Sequence, residues 1–547
     1  MLEPTTHVST RPAPRRAPSF GATRAPASTP TGATLGALDA WALLDRFLAL
    51  GTEAGAYHPG GREPTAGDAK IVARCLADDG IRTIDRIVAT SRSGRAPKND
   101  PVLLSLAMAA KLGDEPTRRA AYAALPEVCR IATHLMQFAA YAQGLGGWGR
   151  GMRKAVGAWF NARPAAELAL QLAKHPSRDG WSNRDLLRLA HPRAASPSHD
   201  RLFAWTIRGE LPDGALEDPA FALIVAIDEL RRTGDALTAG RIIRDRQVPR
   251  ECVPAELLEY PAVWDALLAG TPTAALLRDL AAMTRVGLLA PNSAATRLVV
   301  ARLRDSGRLR DERVHPLAVL AALLAYRSGR DARGQGVWQP VASIVDALDA
   351  AFYASFGGVR AAGKRMLLAL DVSGSMASGS TAGVPNLTPR IASAAMALVT
   401  AATEHDHTFV AFTAATGGYG GKWGGGTPDL TTLSISPHQR LDDVVEEVGG
   451  LPMGGTDCAL PMLWAQKHRV DVDTFVVYTD HETWAGDVPP AQALRAYRDA
   501  RGIPAKLVVV GMTSDGFSVA DPNDAGMLDV VGFDTSTPPV IADFARA

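Results

Sequence analysis

Cysteine is scarce. Four thiols (Cys75, Cys129, Cys252 and Cys458) are scattered over 547 residues without metal-ligand spacing. That excludes a disulfide scaffold and a zinc ribbon, and it suits a reducing compartment. Long apolar runs are missing too: none reaches the ~18 residues a membrane span needs. The expectation is a soluble, cytoplasmic protein with no membrane partner. Net charge is close to nil at +1, but it is unevenly spread. Of 58 Lys/Arg and 57 Asp/Glu, 12 and 21 fall from Lys364 onward, leaving 46 and 36 before it. A basic larger part and an acidic smaller part suit a chain whose first part meets a polyanion.

Acids are almost absent from residues 1–35, where Glu3 stands alone against Arg11, Arg15, Arg16 and Arg24 amid Pro, Thr, Ser and Ala. Such a stretch buries too little apolar surface to order itself, and a disordered basic tail is expected. What the rest contains is enough for large cores. With 47% hydrophobic residues over this length, two or more domains are required.

From residue 36 to about 360 the pattern is helical. Apolar residues recur at three and four spacing in Val102 to Leu112, Arg153 to Ala162, Pro164 to His175 and His315 to Tyr326, punctuated by Pro or Gly. More than ten such segments without convincing strands predict antiparallel helix pairs stacked as an irregular, HEAT-like α-solenoid. Near Lys364 the period changes. Short apolar runs at Met366 to Leu370, Thr408 to Phe412, Thr474 to Thr479 and Lys506 to Met512 alternate with helical stretches such as Ile391 to His405 and Pro489 to Gly502. That alternation predicts a doubly wound, mostly parallel α/β domain over 361–547, with its sites at the carboxyl ends of the strands.

Three motifs sit at those ends. The first strand runs into Asp371-Val372-Ser373-Gly374-Ser375, a later loop reads Met453-Gly454-Gly455-Thr456-Asp457, and another strand ends at Asp480. Two carboxylates and three hydroxyls offer only hard oxygen ligands, which suit one divalent cation such as Mg²⁺. This constellation resembles the metal-ion-dependent adhesion site of von Willebrand A domains. The resemblance implies direct metal bonds from Ser373, Ser375 and Thr456, with Asp371 and Asp480 acting through water. No paired carboxylates or general base stand beside them for hydrolysis, although His481 and Glu482 follow at once. No catalytic residue is therefore expected.

The second informative region runs from Gly146 to Arg193. It carries Arg150, Arg153, Lys154, Arg163, Lys174, Arg178, Arg184, Arg188 and Arg193 against Glu167, Asp179 and Asp185, interleaved with Trp148, Trp159 and Trp181. Clustered cations with aromatics fit phosphate contact and base stacking. For the tryptophans, an inter-helix core is the favoured reading; for the cations, RNA.

The stretches GGWGRGMRKAVGAWFN, KHPSRDGWSNRDLLRLAHP and GGTDCALPMLWAQK, and the tail IPAKLVVVGMTSDGFSVADPNDAGMLDVVGFD, resemble those of the Ro autoantigen (TROVE-domain) family, and in particular its bacterial members with a von Willebrand A domain. The likeness implies a non-catalytic, monomeric ring of helical repeats (36–360) closed through the A domain. Small structured Y-type RNA would bind outside the ring, and single-stranded ends of misfolded RNA would enter its hole. By motif match the RNA contacts fall on Lys174, Arg178 and His191, with Arg150, Arg153 and Lys154 as neighbours. An exoribonuclease, polynucleotide phosphorylase, is the implied partner. A metal-dependent protein adaptor working through the A domain is the alternative. The Gly-rich insertion 416–426, with Tyr419, Lys422 and Trp423, has no counterpart in the resemblance.

Overall fold

Helix Asp100–Leu112 illustrates why the first part folds as stacked helices. Pro101 opens it, Asp100 and Lys111 match the dipole at its two ends, and residues from Val102 to Ala110 are buried on all sides. A helix apolar all round must be wrapped by others. Here helices Ala40–Leu50, Gly80–Ser93, Glu115–Val128 and Ala132–Gly144 pack against it. Helices Ala165–Lys174, Ala222–Arg232, Ala236–Arg246 and Pro261–Leu268 then continue the series, each touching the next, down to the pair Pro316–Arg327 and Ala342–Ala354. The computed structural model describes residues 39–547 except 54, 60, 62, 94–95, 332–333, 335, 414–428, 453–454, 481–485, 514–518 and 522. The basic tail, the Gly-rich insertion, Met453, Gly454, His481 and Glu482 lie outside the described residues.

Nine strands occur among the described residues: β1 Ala56–Tyr57, β2 Ser177–Arg178, β3 Trp181–Ser182, β4 Met366–Asp371, β5 His407–Thr413, β6 Asp429–Leu433, β7 Thr474–Thr479, β8 Lys506–Gly511 and β9 Met527–Val531. Seven form one sheet in the order β1-β9-β8-β7-β4-β5-β6, parallel except for the antiparallel edge pair β5–β6. Side chains alternate across it. Leu368, Leu370, Val476 and Tyr478 join one core, whereas Leu367, Ala369, Phe475 and Val477 join another. The first of these cores continues into the later helices of the solenoid, including Leu348 and Phe352.

The expectation of a strand-free helical region is corrected here. β2 and β3 form a tight hairpin, and β1 is the edge strand of the A-domain sheet. Two-residue strands carry no readable period, which is why the pattern missed them. The described residues belong to one compact unit. Both ends of the helical series hold the α/β part. At the start, β1 pairs with β9, the Arg46 guanidinium donates to the carbonyls of Met527 (3.1 Å) and Ala525 (3.3 Å), and Tyr57 meets Ser536 Oγ at 2.7 Å. At the end, the Tyr353 hydroxyl accepts from Leu441 N (2.9 Å), while Arg440 lies over the Tyr353 ring and pairs with Asp349.

Asp529 sits at the first seam. Its backbone N–H donates to Gly55 O (2.6 Å), and its carboxylate accepts from the amides of Val519 and Ala520 at 2.8–3.1 Å. Burial pushes this carboxyl up to about 6 against the pull of those two amides. A native group that keeps its proton after the unfolded chain has lost it lowers stability as pH rises. The loss runs from about pH 4, the unfolded value, to about pH 6, and amounts to up to about 3 kcal/mol. Asn at this position cannot titrate and still offers an acceptor. The melting temperature of Asp529→Asn relative to the parent is therefore expected to climb between pH 4 and 6 and to level off above. A pH-independent difference would contradict this account of the seam.

Candidate functional site

Two groups of residues bear chemistry, and both are placed by their elements. The first lies where the central strands end. β4 is flanked by β5 and β7, so Asp371 at its last position is wholly buried. Its Oδ1 accepts from Ser373 N (2.7 Å), and its Oδ2 accepts from Thr456 Oγ1 (3.0 Å) and Thr479 Oγ1 (2.8 Å). The chain then turns through the 3₁₀ segment Gly374–Ala377, which sets Ser373 Oγ 3.2 Å from Ser375 Oγ. Ser373 and Thr456 are buried and Ser375 is exposed, so the cluster opens to solvent on one side. Asp480 follows Thr479 directly, and its carbonyl is fixed by the Thr513 amide (3.1 Å) and hydroxyl (2.8 Å).

Four of the five expected oxygen donors are thus linked by direct hydrogen bonds, and the fifth, Asp480, follows Thr479, which donates to the same carboxylate. Burial pushes the Asp371 carboxyl above its ordinary range, opposed by the Ser373, Thr479 and Thr456 donors. Burial likewise raises Asp457, with a further push from the charge of Asp487. A dehydrated carboxyl bonded to clustered hydroxyls, as Asp371 is, fits a hard cation, which would return the solvation it has lost. Among the described residues no three His, Cys, Asp or Glu side chains converge as a metal cage. Two neighbours escaped the motif reading. Thr479 is placed by the β4–β7 register, in which Leu370 faces Tyr478, and Arg390 reaches to 3.5 Å from the Ser373 carbonyl. The order of strands would have identified Thr479; the linear motif does not contain it.

The second group is the basic face. On helix Arg150–Asn161, Met152, Ala155, Val156, Trp159 and Phe160 point inward, leaving Arg150, Arg153 and Lys154 exposed. The turn of the β2–β3 hairpin has Asp179 and Gly180 at positive φ (52° and 76°), the backbone a two-residue hairpin demands. That turn sets Arg178 opposite Trp181, whose ring lies 5.5 Å from Trp148, just before Arg150. Arg178 is half exposed beside Asp179 (3.1 Å), and Lys174 lies 3.4 Å from Glu251 at the surface. His191 caps helix Asn183–Ala190 in the left-handed region (φ 45°) and is exposed. Gly157 approaches Pro192 so closely that a Cβ there would come within 3.1 Å, which seats the His191 turn on helix Arg150–Asn161. The six expected RNA contacts therefore lie on touching elements, five of them exposed and Lys174 half-buried.

Arg163 does not belong with them. Its guanidinium lies 4.2 Å from the centre of the Trp159 ring and donates to Arg130 O (2.9 Å), a structural clamp on the helix end. Trp159 is buried and donates to Cys129 O, so the core reading of that tryptophan holds. Trp148 and Trp181 are half-buried and pack against the core edge.

Comparison with known proteins gives this geometry a setting. Residues 365–545 match the Ro60 vWA domain, and residues 29–209 and 229–327 match the TROVE domain. The chain is 41% identical over 505 residues to a Deinococcus radiodurans protein named RNA-binding protein RO60, covering 92% of each. A Caenorhabditis elegans protein of the same name is 32% identical, over 91% of this chain and 87% of that one. The crystal structure of the Deinococcus radiodurans RO (RSR) protein superposes with a TM-score of 0.86 at 40% identity, covering 92% of this chain and 98% of that one. With both domains matched and the likeness running nearly end to end, the chain belongs to the Ro family of TROVE-domain proteins.

Proposed function

We propose that this chain is a non-catalytic RNA-binding protein of the cytoplasm whose basic helical face grips a small structured RNA of the Y type. The observation that carries the reading is the set of exposed Arg150, Arg153, Lys154, Arg178 and His191 with half-buried Lys174, held on touching elements by an apolar underside. Phosphate contacts supply most of such affinity, and cations fixed on rigid helices lose little entropy on binding. The names of the two relatives support the same class of ligand. In this reading the helical series closes through the A domain as a monomeric ring, single-stranded ends of misfolded RNA enter its centre, and the particle serves RNA quality control beside an exoribonuclease such as polynucleotide phosphorylase. The contacts at both seams support closure.

The oxygen cluster is assigned to one divalent cation, Mg²⁺ by its hard donors, with Ser373, Ser375 and Thr456 as direct ligands and Asp371 and Asp480 behind water. Such an ion supplies an attachment point for an acidic group of a partner. The dehydrated Asp371 also favours a second reading, a metal-dependent protein adaptor that needs no RNA. Small RNA recovered with the native protein, and absorbance near 260 nm, separate the first reading from the second.

Replacing Lys174, Arg178 and His191 together by Ala should lower affinity for a small structured RNA by about a hundredfold or more at low salt. Loss of two permanent cations should flatten the slope of log K against log salt by about 2. Melting should be unchanged, because exposed pairs such as Lys174–Glu251 contribute only about 0–1 kcal/mol. An equal loss of folding would make these residues structural. For the ion, MgCl₂ at a hundred times its dissociation constant should stabilise the A domain by about 2.7 kcal/mol in calorimetry. Ser375→Ala, at an exposed position, should weaken that response without changing the metal-free melting temperature. A response identical in the variant would remove Ser375 from the ligand set.

A further inference from the structure

We propose that Arg390 is a second anchor for an anion held at the oxygen cluster, and that this face of the A domain takes a protein carboxylate flanked by basic side chains. The inference rests on the cation reading above and adds to it what the partner must carry. Ser373 connects the two positions. Its Oγ stands in the cluster, 3.2 Å from Ser375 Oγ, while its carbonyl accepts from Arg390 Nη2 at 3.5 Å. Arg390 is half-buried, and a Cβ on Gly449 would come within 3.1 Å of its Nη1. Its Nε is shut inside without an acceptor, and the long bond to Ser373 is the one its guanidinium makes among the described residues. No described carboxylate forms an ion pair with it. A partly dehydrated guanidinium without a counter-ion is costly, and an oxyanion relieves it. Its place in the chain adds to the cost. Arg390 stands in the first turn of the 15-residue helix Pro389–Thr403, where the helix dipole disfavours a cation and no acid offsets it.

The surrounding charges decide what carries that anion. Helix Leu441–Gly449 ends against Arg390, and its outer side exposes Asp442, Asp443, Glu446 and Glu447. Glu446 and Glu447 lie within one turn of Gly449. From Lys364 onward acids outnumber bases by 21 to 12. A nucleic-acid strand brings further phosphates on either side of the one bound, and the acidic rim repels them. A peptide sets the charges beside its carboxylate independently, so Lys or Arg next to an Asp or Glu satisfies anchor and rim together. The guanidinium fork meets carboxylate oxygens at fixed angles, so Arg390 also sets the direction from which that side chain reaches the cation. Arg390 is therefore a specificity-determining residue, and the rim selects the partner's flanks.

The test is fluorescence anisotropy on the full chain in MgCl₂ with three dye-labelled pentapeptides. One has Glu between two Lys on each side, one has Gln in place of that Glu, and one has Ser in place of each Lys. The Lys-flanked Glu peptide should bind more tightly than either twin and be released by EDTA. Arg390→Gln should weaken it about tenfold to a hundredfold, the range of a hydrogen bond between charged groups, with Arg390→Lys in between. In calorimetry Arg390→Gln should bind Mg²⁺ as tightly as the parent or more tightly, because a positive charge beside the ion has gone. A mere brace for the Ser373 loop would weaken Mg²⁺ and peptide together, and that result would overturn the anchor. Glu446→Gln with Glu447→Gln, at exposed positions, should weaken the Lys-flanked peptide and spare the Ser-flanked one, and this arm stands if Arg390→Gln folds poorly. Equal peptide affinity in the parent and Arg390→Gln, or no peptide binding by the Mg²⁺-loaded parent, would overturn the proposal and leave the cation site intact. Displacement of the peptide by inorganic phosphate at a lower concentration than by acetate would give the position to a phosphate and overturn the carboxylate. No Mg²⁺ uptake by the parent would overturn the cation reading and the anchor together.

Discussion

The backbone pairing between Ala56–Tyr57 and strand Met527–Val531 ties the beginning of the chain to its end, and the rest of the architecture depends on it. A two-residue strand is worthless alone. It holds because Arg46 reaches from the first helix to the carbonyls of Ala525 and Met527, and because Tyr57 meets Ser536 from the next turn. The second attachment, from Tyr353 to Leu441 and from Arg440 to Asp349, anchors the last helix to the same α/β part. A solenoid held at both ends cannot unwind as an open one can, and its surface groups keep fixed spacings.

That rigidity matters for the basic face. Its cations come from helix Arg150–Asn161, from a hairpin and from a helix cap, three unlike pieces of backbone. They become one surface because Trp148 meets Trp181, and because Gly157 leaves room for Pro192. The apolar underside therefore decides where the charges stand, and the charges decide what binds. Arg163 shows the converse: a cation from the same stretch is consumed by the fold, stacked on Trp159 and bound to backbone carbonyls.

The oxygen cluster follows a different rule. Its members come from the ends of strands and from the loop before Leu460, and sheet order brings them together around a carboxylate with no access to water. Burial makes that carboxylate costly, and the three hydroxyl or amide donors on Asp371 offset only part of the cost. The Asp529 seam repeats the motif with two amide donors. In both places a buried acid organises a loop.

Much of this was legible in the chain itself. The change from three-and-four spacing to short apolar runs near Lys364 separates helical from α/β architecture, because the two periods bury different faces. The Asp371, Ser373, Ser375, Thr456 and Asp480 pattern identifies the oxygen cluster, since strand ends are where a parallel sheet places its loops. Tertiary structure alone decided the rest. Strand β1 is too short to carry a period, and Thr479 enters the cluster only through register. Local sequence dictates what each segment is, whereas long-range packing decides which segments become neighbours.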